Sequence, residues 1–203
     1  MEVAGLITTV HEATQRVAAH GVRERLLEHQ AAACGLPLIK VPIPDPCPNE
    51  RYEQALGAAL HEAKAQGVTA VCFGDLHLAD IREYRERVCA AWGIEPLFPI
   101  WHQDTGELAR AMVASGLRAR LTCVDLSLMP RAFVGRVFDE KLLRDLPDGV
   151  DPCGENGEFH TFVYAGPIFE RPIAVRPGTI SERDGFAWAN LVAEADSAEA
   201  QSA

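Results

Sequence analysis

The sequence predicts an α/β protein: a doubly wound, mostly parallel sheet followed by a smaller α+β unit. Three observations carry this. Short apolar, β-branched runs alternate with segments of helical period, most of those helical segments stop at a glycine, and the alternation breaks down after Asp125. In a parallel sheet of this kind, ligands bind at the carboxyl ends of the strands.

The elements follow in order. Residues 3–10 (VAGLITTV) form an apolar run suited to a buried strand, and Val22 to Cys34 reads as a helix closed by Gly35. Leu38 to Ile43 is the next strand. A proline-rich turn ends in Asn49, which is expected to cap a helix from Glu50 to Gln66, with Gly67 as its stop. Ala70 to Phe73 is a short strand running into Gly74 and Asp75. It is followed by a helix over Ile81 to Trp92 and a strand over Pro96 to Pro99. Asp104 and Glu107 stand at capping-box spacing at the head of a helix over Thr105 to Ser115, which Gly116 ends. Arg120 to Val124 is expected to be the next strand of the same sheet. Residues 1–124 therefore form the first unit. Residues 125–180, richer in Pro, Gly and charge and holding one short helix from Glu140 to Leu146, form the second. Residues 181–203 read as a tail that lacks order, because the segment loses β character and ends in small and acidic residues.

The chain has 203 residues, 48% of them hydrophobic, enough for a sizeable core. The net charge of −10 and pI near 5.1 argue against a duplex nucleic-acid surface, although a local basic site stays open. The sequence shows neither a membrane-spanning run nor a signal peptide, which makes a cytoplasmic location the expectation. Six cysteines lack C-x-x-C spacing, so the expectation is reduced thiols, with no metal site called.

Two polar clusters could carry chemistry. Residues 151–161 (DPCGENGEFHT) combine Glu155, Glu158, Asn156, Cys153 and His160 around two glycines. The two carboxylates and the imidazole could accept from an amine or move its proton. The plain alternative is a Gly-rich turn with a solvated acidic face. The second cluster, Gly74, Asp75 and His77, sits where a buried strand ends, with Arg82, Arg85 and Glu86 on the next helix. Asp75 there could touch a ribose or an amine, or merely cap the helix; Arg82 and Glu86 have the spacing of a surface ion pair. His20, Trp101 and His102 are weaker candidates.

Several segments together resemble the diphthine–ammonia ligase family of ATP pyrophosphatases, within the adenine-nucleotide alpha-hydrolase superfamily. They are GLITTV at 5–10, His20 in AAHGVRERLLEHQA, GLPLIKVPIP at 35–44, Gly74 with Arg82 and Glu86, PLFPIWHQD at 96–104, GRVFDE at 135–140 and GENGEFHTFV at 154–163. The resemblance implies a HUP-type, Rossmann-like domain and a ligase that uses ATP, with Mg²⁺, to adenylate a carboxylate that ammonia then converts to an amide. It places Thr8, Thr9, His20, Gly74, Asp75 and Arg82 on the nucleotide side. Asn156, Gly157, Thr161 and Trp101 would bind substrate, and Glu155, Glu158 and His160 would be catalytic.

The sequence departs from the family pattern in two places. No segment matches the family's SGGKDS phosphate loop, so the sheet is expected to lack its first strand and the native start to lie upstream. A truncated sheet can also pair across subunits, making a homodimer an expected arrangement. In the family's E-G-G-E-F/Y-E motif, Asn156 replaces a glycine and His160 replaces the last glutamate. Losing that carboxylate favours a substrate other than cationic diphthine, either a small carboxylate-bearing molecule or a modified residue. The alternative functions are a catalytically incomplete small-molecule or nucleotide-binding remnant and, on residue types alone, a hydrolase using Cys153 with His160.

Overall fold

The structure, a computed structural model, describes residues 2–18 and 20–194. It is a mixed α/β fold with parallel and antiparallel pairing. Strand β1 (Leu6–His11) lies parallel to β3 (Leu38–Ile43), and a two-residue strand β2 (Arg16–Val17) turns back on its other edge. Between them runs α1 (Glu24–Ala33). After α2 (Asn49–Ala65), β4 (Ala70–Cys72) lies parallel to β5 (Glu95–Leu97), with α3 (Ala79–Trp92) connecting the two. The order and type of these elements agree with the sequence reading. The ends differ: the first strand starts at Leu6, and Asn49 is the first residue of α2, with no side-chain cap.

The two parallel pairs share one apolar cluster. Leu60 of α2, Cys89 of α3 and Ile94 form its centre, with Ile7 of β1 and Val71 of β4 packed against it. Gly57 lets α2 and α3 close on each other, since a Cβ there would lie 1.9 Å from the Trp92 ring.

The remaining strands form one antiparallel sheet in the order β7-β6-β9-β8. Its members are β6 (Arg118–Asp125), β7 (Phe159–Ala165), β8 (Val175–Arg183) and β9 (Phe186–Ala193). This corrects two expectations. First, β6 pairs with β7 and β9 rather than extending the parallel layer. Its run of buried residues from Leu121 to Val124 suits the centre of a covered antiparallel sheet as well as it suits a parallel one. Second, residues 181–194 are strand, not tail. Asp184 and Gly185, both at positive φ, make the two-residue turn that joins β8 to β9, and Ala187, Ala189, Leu191 and Ala193 alternate into the core. Residues 195–203 lie outside the described residues.

Helix α4 (Thr105–Ala114) is capped by Asp104, whose side chain accepts from the Glu107 amide at 2.7 Å, as its spacing predicts. Helix α5 (Glu140–Asp145) is capped in the same way by Asp139. The main core joins Leu121 and Val124 of β6, Phe159 and Phe162 of β7, Leu142 of α5 and Leu26 of α1. Helix α1 thus belongs to the core of the antiparallel sheet. It covers the open edge of β7, where Gln30 Nε2 donates to Val163 O at 2.6 Å and His20 Nδ1 lies 3.2 Å from Thr161 O.

Candidate active site

The loop after β4 and the loop before β7 meet through side chain to backbone contacts. Glu155 Oε1 accepts from the Leu76 amide at 2.7 Å and the His77 amide at 3.4 Å, and His77 Nε2 lies 3.2 Å from Asn156 Oδ1. The His102 amide donates to Leu76 O at 2.8 Å, which brings in the segment after β5. The two clusters read separately from the sequence are therefore one place.

On the β4 side, aromatic rings and guanidinium groups alternate. Phe73 stacks on Phe98 at 5.6 Å, and Phe98 meets Trp101 edge-on at 6.1 Å. Arg82 lies between Phe98 and Trp101, 4.7 and 4.8 Å from their centres, and its Nε donates to Glu86 at 2.7 Å, the ion pair its spacing predicts. Arg85 sits 4.6 Å from the Phe73 ring centre and donates to Asp75 Oδ2 at 2.6 Å. Asp75 is therefore an arginine partner rather than a helix cap; Leu78 holds the cap position of α3. A Cβ on Gly74 would meet nothing within 4 Å, so there is open space above the strand end.

On the other side, Glu158 organises the loop. It is only 2% exposed. Its Oε1 accepts from the Asp151 amide and Asn156 Nδ2, each at 2.9 Å, and its Oε2 accepts from the Asn156 amide at 3.0 Å. Asp151 Oδ1 adds bonds from the amides of Cys153 and Glu155, at 2.7 and 3.3 Å. Glu158 precedes β7 (Phe159–Ala165) and turns inward, away from His160. His160 instead packs its ring 4.7 Å from that of His20. Burial, then the nearby His20, lowers the His160 pKa to about 4, so its imidazole is neutral at pH 7.

Glu155, Asn156, Gly74, Asp75, Arg82 and Trp101 thus gather around the junction. Gly157 lies in the same loop at φ +88, where a Cβ would meet nothing within 4 Å. The Thr161 carbonyl lies against the His20 ring, while Thr8 and Thr9 pair with Lys40 and Val41 in β3, in a different sheet from Gly74. The half-buried Cys153 thiol donates to Thr105 O at 3.3 Å, which does not favour its thiolate. Burial, then the Asp151 and Glu155 carboxylates, pushes its pKa up to about 11. Phe73 and Phe98 were missed in the sequence. Both stand at the ends of adjacent parallel strands opposite arginines spaced i,i+3, and that pattern could have exposed them.

Comparison with known proteins places the chain in a family. Family models for the diphthamide synthase N-terminal and C-terminal domains match residues 1–96 and 104–191. The chain belongs to the diphthamide synthase family. It is 31% identical over 161 residues to a diphthine–ammonia ligase of Danio rerio, covering 71% of this chain and 63% of that protein. It is 34% identical over 118 residues to the Homo sapiens diphthine–ammonia ligase, covering 54% and 44%. A Schizosaccharomyces pombe relative of the same name is 32% identical over 101 residues, covering 48% and 17%. The chain thus spans less than two thirds of the length of these members of the diphthamide synthase family. No described helix is long and apolar enough to cross a membrane.

Proposed function

We propose that this chain takes part in ATP-dependent amide formation, in which a substrate carboxylate is activated with loss of pyrophosphate and ammonia supplies the amide nitrogen. The Glu155 carboxylate carries this reading, because it ties the loop after β4 to the loop that bears the substrate-side residues. The two diphthamide synthase matches support the same division of labour. The parallel pairs β1–β3 and β4–β5 are read as flanks of one HUP-type, doubly wound sheet. Their shared cluster around Leu60 supports that.

The residues at the junction suit a nucleotide. The backbone at Gly74 is uncovered, the rings of Phe73, Phe98 and Trp101 offer flat apolar faces, and the Nη groups of Arg82 and Arg85 suit phosphate charge. Among the described residues, no group of three or more His, Cys, Asp or Glu is arranged to hold a metal; Mg²⁺ would enter with the nucleotide's phosphates. When bound, ATP would supply the adenylyl group that activates the carboxylate, with pyrophosphate as the leaving group. Asn156 and Glu155 then position the acceptor. The Asn156 and His160 replacements support an acceptor other than diphthine, either a small carboxylate or a different modified residue.

The test is pyrophosphate release by the full-length protein from its own locus, with ATP, Mg²⁺, ammonium and a panel of carboxylates. The expected result is ammonia-dependent AMP and pyrophosphate, reduced about tenfold or more in Glu155→Ala, the size expected for losing a charged hydrogen bond. Release that ignores Glu155 would sink the assignment of this junction. A second reading is a binding protein without turnover. It expects ATP binding that Glu155→Ala weakens, with no pyrophosphate from any carboxylate.

A further inference from the structure

Three arginines from distant parts of the chain converge on one side of the antiparallel sheet: Arg16 in β2, Arg23 at the head of α1 and Arg183 at the end of β8. Arg16 Nη2 and Arg23 Nε both donate to Asn190 Oδ1, at 3.1 and 3.0 Å, and Arg16 Nη1 donates to Gly21 O at 2.5 Å. Arg183 lies 5.0 Å from the centre of the Trp188 ring. The same ring fills the space at Gly21, where a Cβ would come within 2.6 Å of it.

Among the described residues, none of the ion pairs includes Arg16, Arg23 or Arg183; a neutral amide oxygen holds two of the three. Glu24 and Glu28, the nearest carboxylates on α1, are both engaged by Lys40. Burial, then repulsion from Arg23 and Arg183, lowers the pKa of Arg16, as expected for like charges assembled without compensation. Arg16, Arg23 and Arg25 line a cavity of about 550 Å³ together with Thr14, Gln15 and the two Lys40-paired carboxylates of Glu24 and Glu28, so arginines outnumber carboxylates on its wall. The buried indole Nε1 of Trp188 beside the cluster has no acceptor among the described residues.

We propose that this cavity binds a compact, multiply charged anion of the phosphate class. Guanidinium forks match phosphate oxygens, and an anion there supplies the charge the fold leaves out. A long polyanion is disfavoured, because a chain of net charge −10 repels it over most of the surface. The site shares no residue with the Glu155 junction and does not depend on the proposed ligase activity.

The experiment is calorimetric titration of the purified chain with tripolyphosphate, with sulfate as the control anion. Saturable tripolyphosphate binding is expected, weakened about tenfold or more by Arg23→Gln and by Arg183→Gln and unchanged by Arg82→Ala. Asn190→Asp fills the cluster with a carboxylate, so it should raise the melting temperature of the unliganded protein while weakening tripolyphosphate binding to a similar degree. No saturable binding, or binding unaffected by Arg23→Gln, Arg183→Gln and Asn190→Asp, overturns the inference. So does sulfate binding as tightly as tripolyphosphate, which marks a non-selective anion patch. Binding lost only in Arg82→Ala would assign the anion to the junction at β4 and equally overturn it.

Discussion

Carboxylates two or three residues apart can do unrelated work, and Glu155 and Glu158 do. Glu155 reaches across to Leu76 and His77, whereas Glu158 is buried and spends both oxygens on its own loop. Glu158→Ala is expected to destabilise the chain by about 3 kcal/mol, since it strands several buried donors; urea unfolding measures this, and Glu158→Gln should lose less. His160 makes a second prediction. Its pKa falls from 6.5 to about 4 on folding, so the unfolded chain binds more protons between those values. Stability should therefore decline as pH falls from 6.5 towards 4, and this group adds no further loss below. Melting curves over that range should flatten in part in His160→Gln, because the neighbouring His20, whose pKa burial also lowers, still titrates. The sequence revealed which residues were polar and close along the chain. It could not reveal which carboxylate turned inward, because that depends on one residue of offset between the loop and the start of β7.

Elements were more legible than residues. The segments α1, β3, α2, β4 and α3 followed from apolar period and glycine stops, and Asp104 capped α4 as its spacing required. The misses share a cause: pairing partners are not local. A central strand reads alike in parallel and antiparallel sheets, which misplaced β6. The alanines of β9 hid a strict inside-outside alternation behind the composition of a tail, although Asp184-Gly185 was a hairpin signal. The contact between α2 and α3 yields a prediction at this scale. Gly57→Ala drives a methyl into Trp92 and should cost about 1–3 kcal/mol by urea unfolding, with part recovered in the double variant Gly57→Ala/Trp92→Leu.

At the scale of the whole molecule, the two layers are joined by α1, which precedes β3 in one sheet and packs into the core of the other. The junction at Glu155 adds a second tie. Such coupling means that damage to the antiparallel sheet reaches α1. A chain ended after Ile180 loses Ala187, Ala189, Leu191 and Ala193 from the core and is expected to unfold cooperatively, with loss of helical circular dichroism as well as strand signal. Retention of the helical signal would show the two layers to be independent. The strand order β7-β6-β9-β8 also sets a timetable on the ribosome. A growing chain can zip β6 to β7 early, but the other flank of β6 stays bare until β9 emerges. In that interval Leu121 and Val124 border an open seam, so the nascent protein is most open to chaperone capture just before its last described strand arrives.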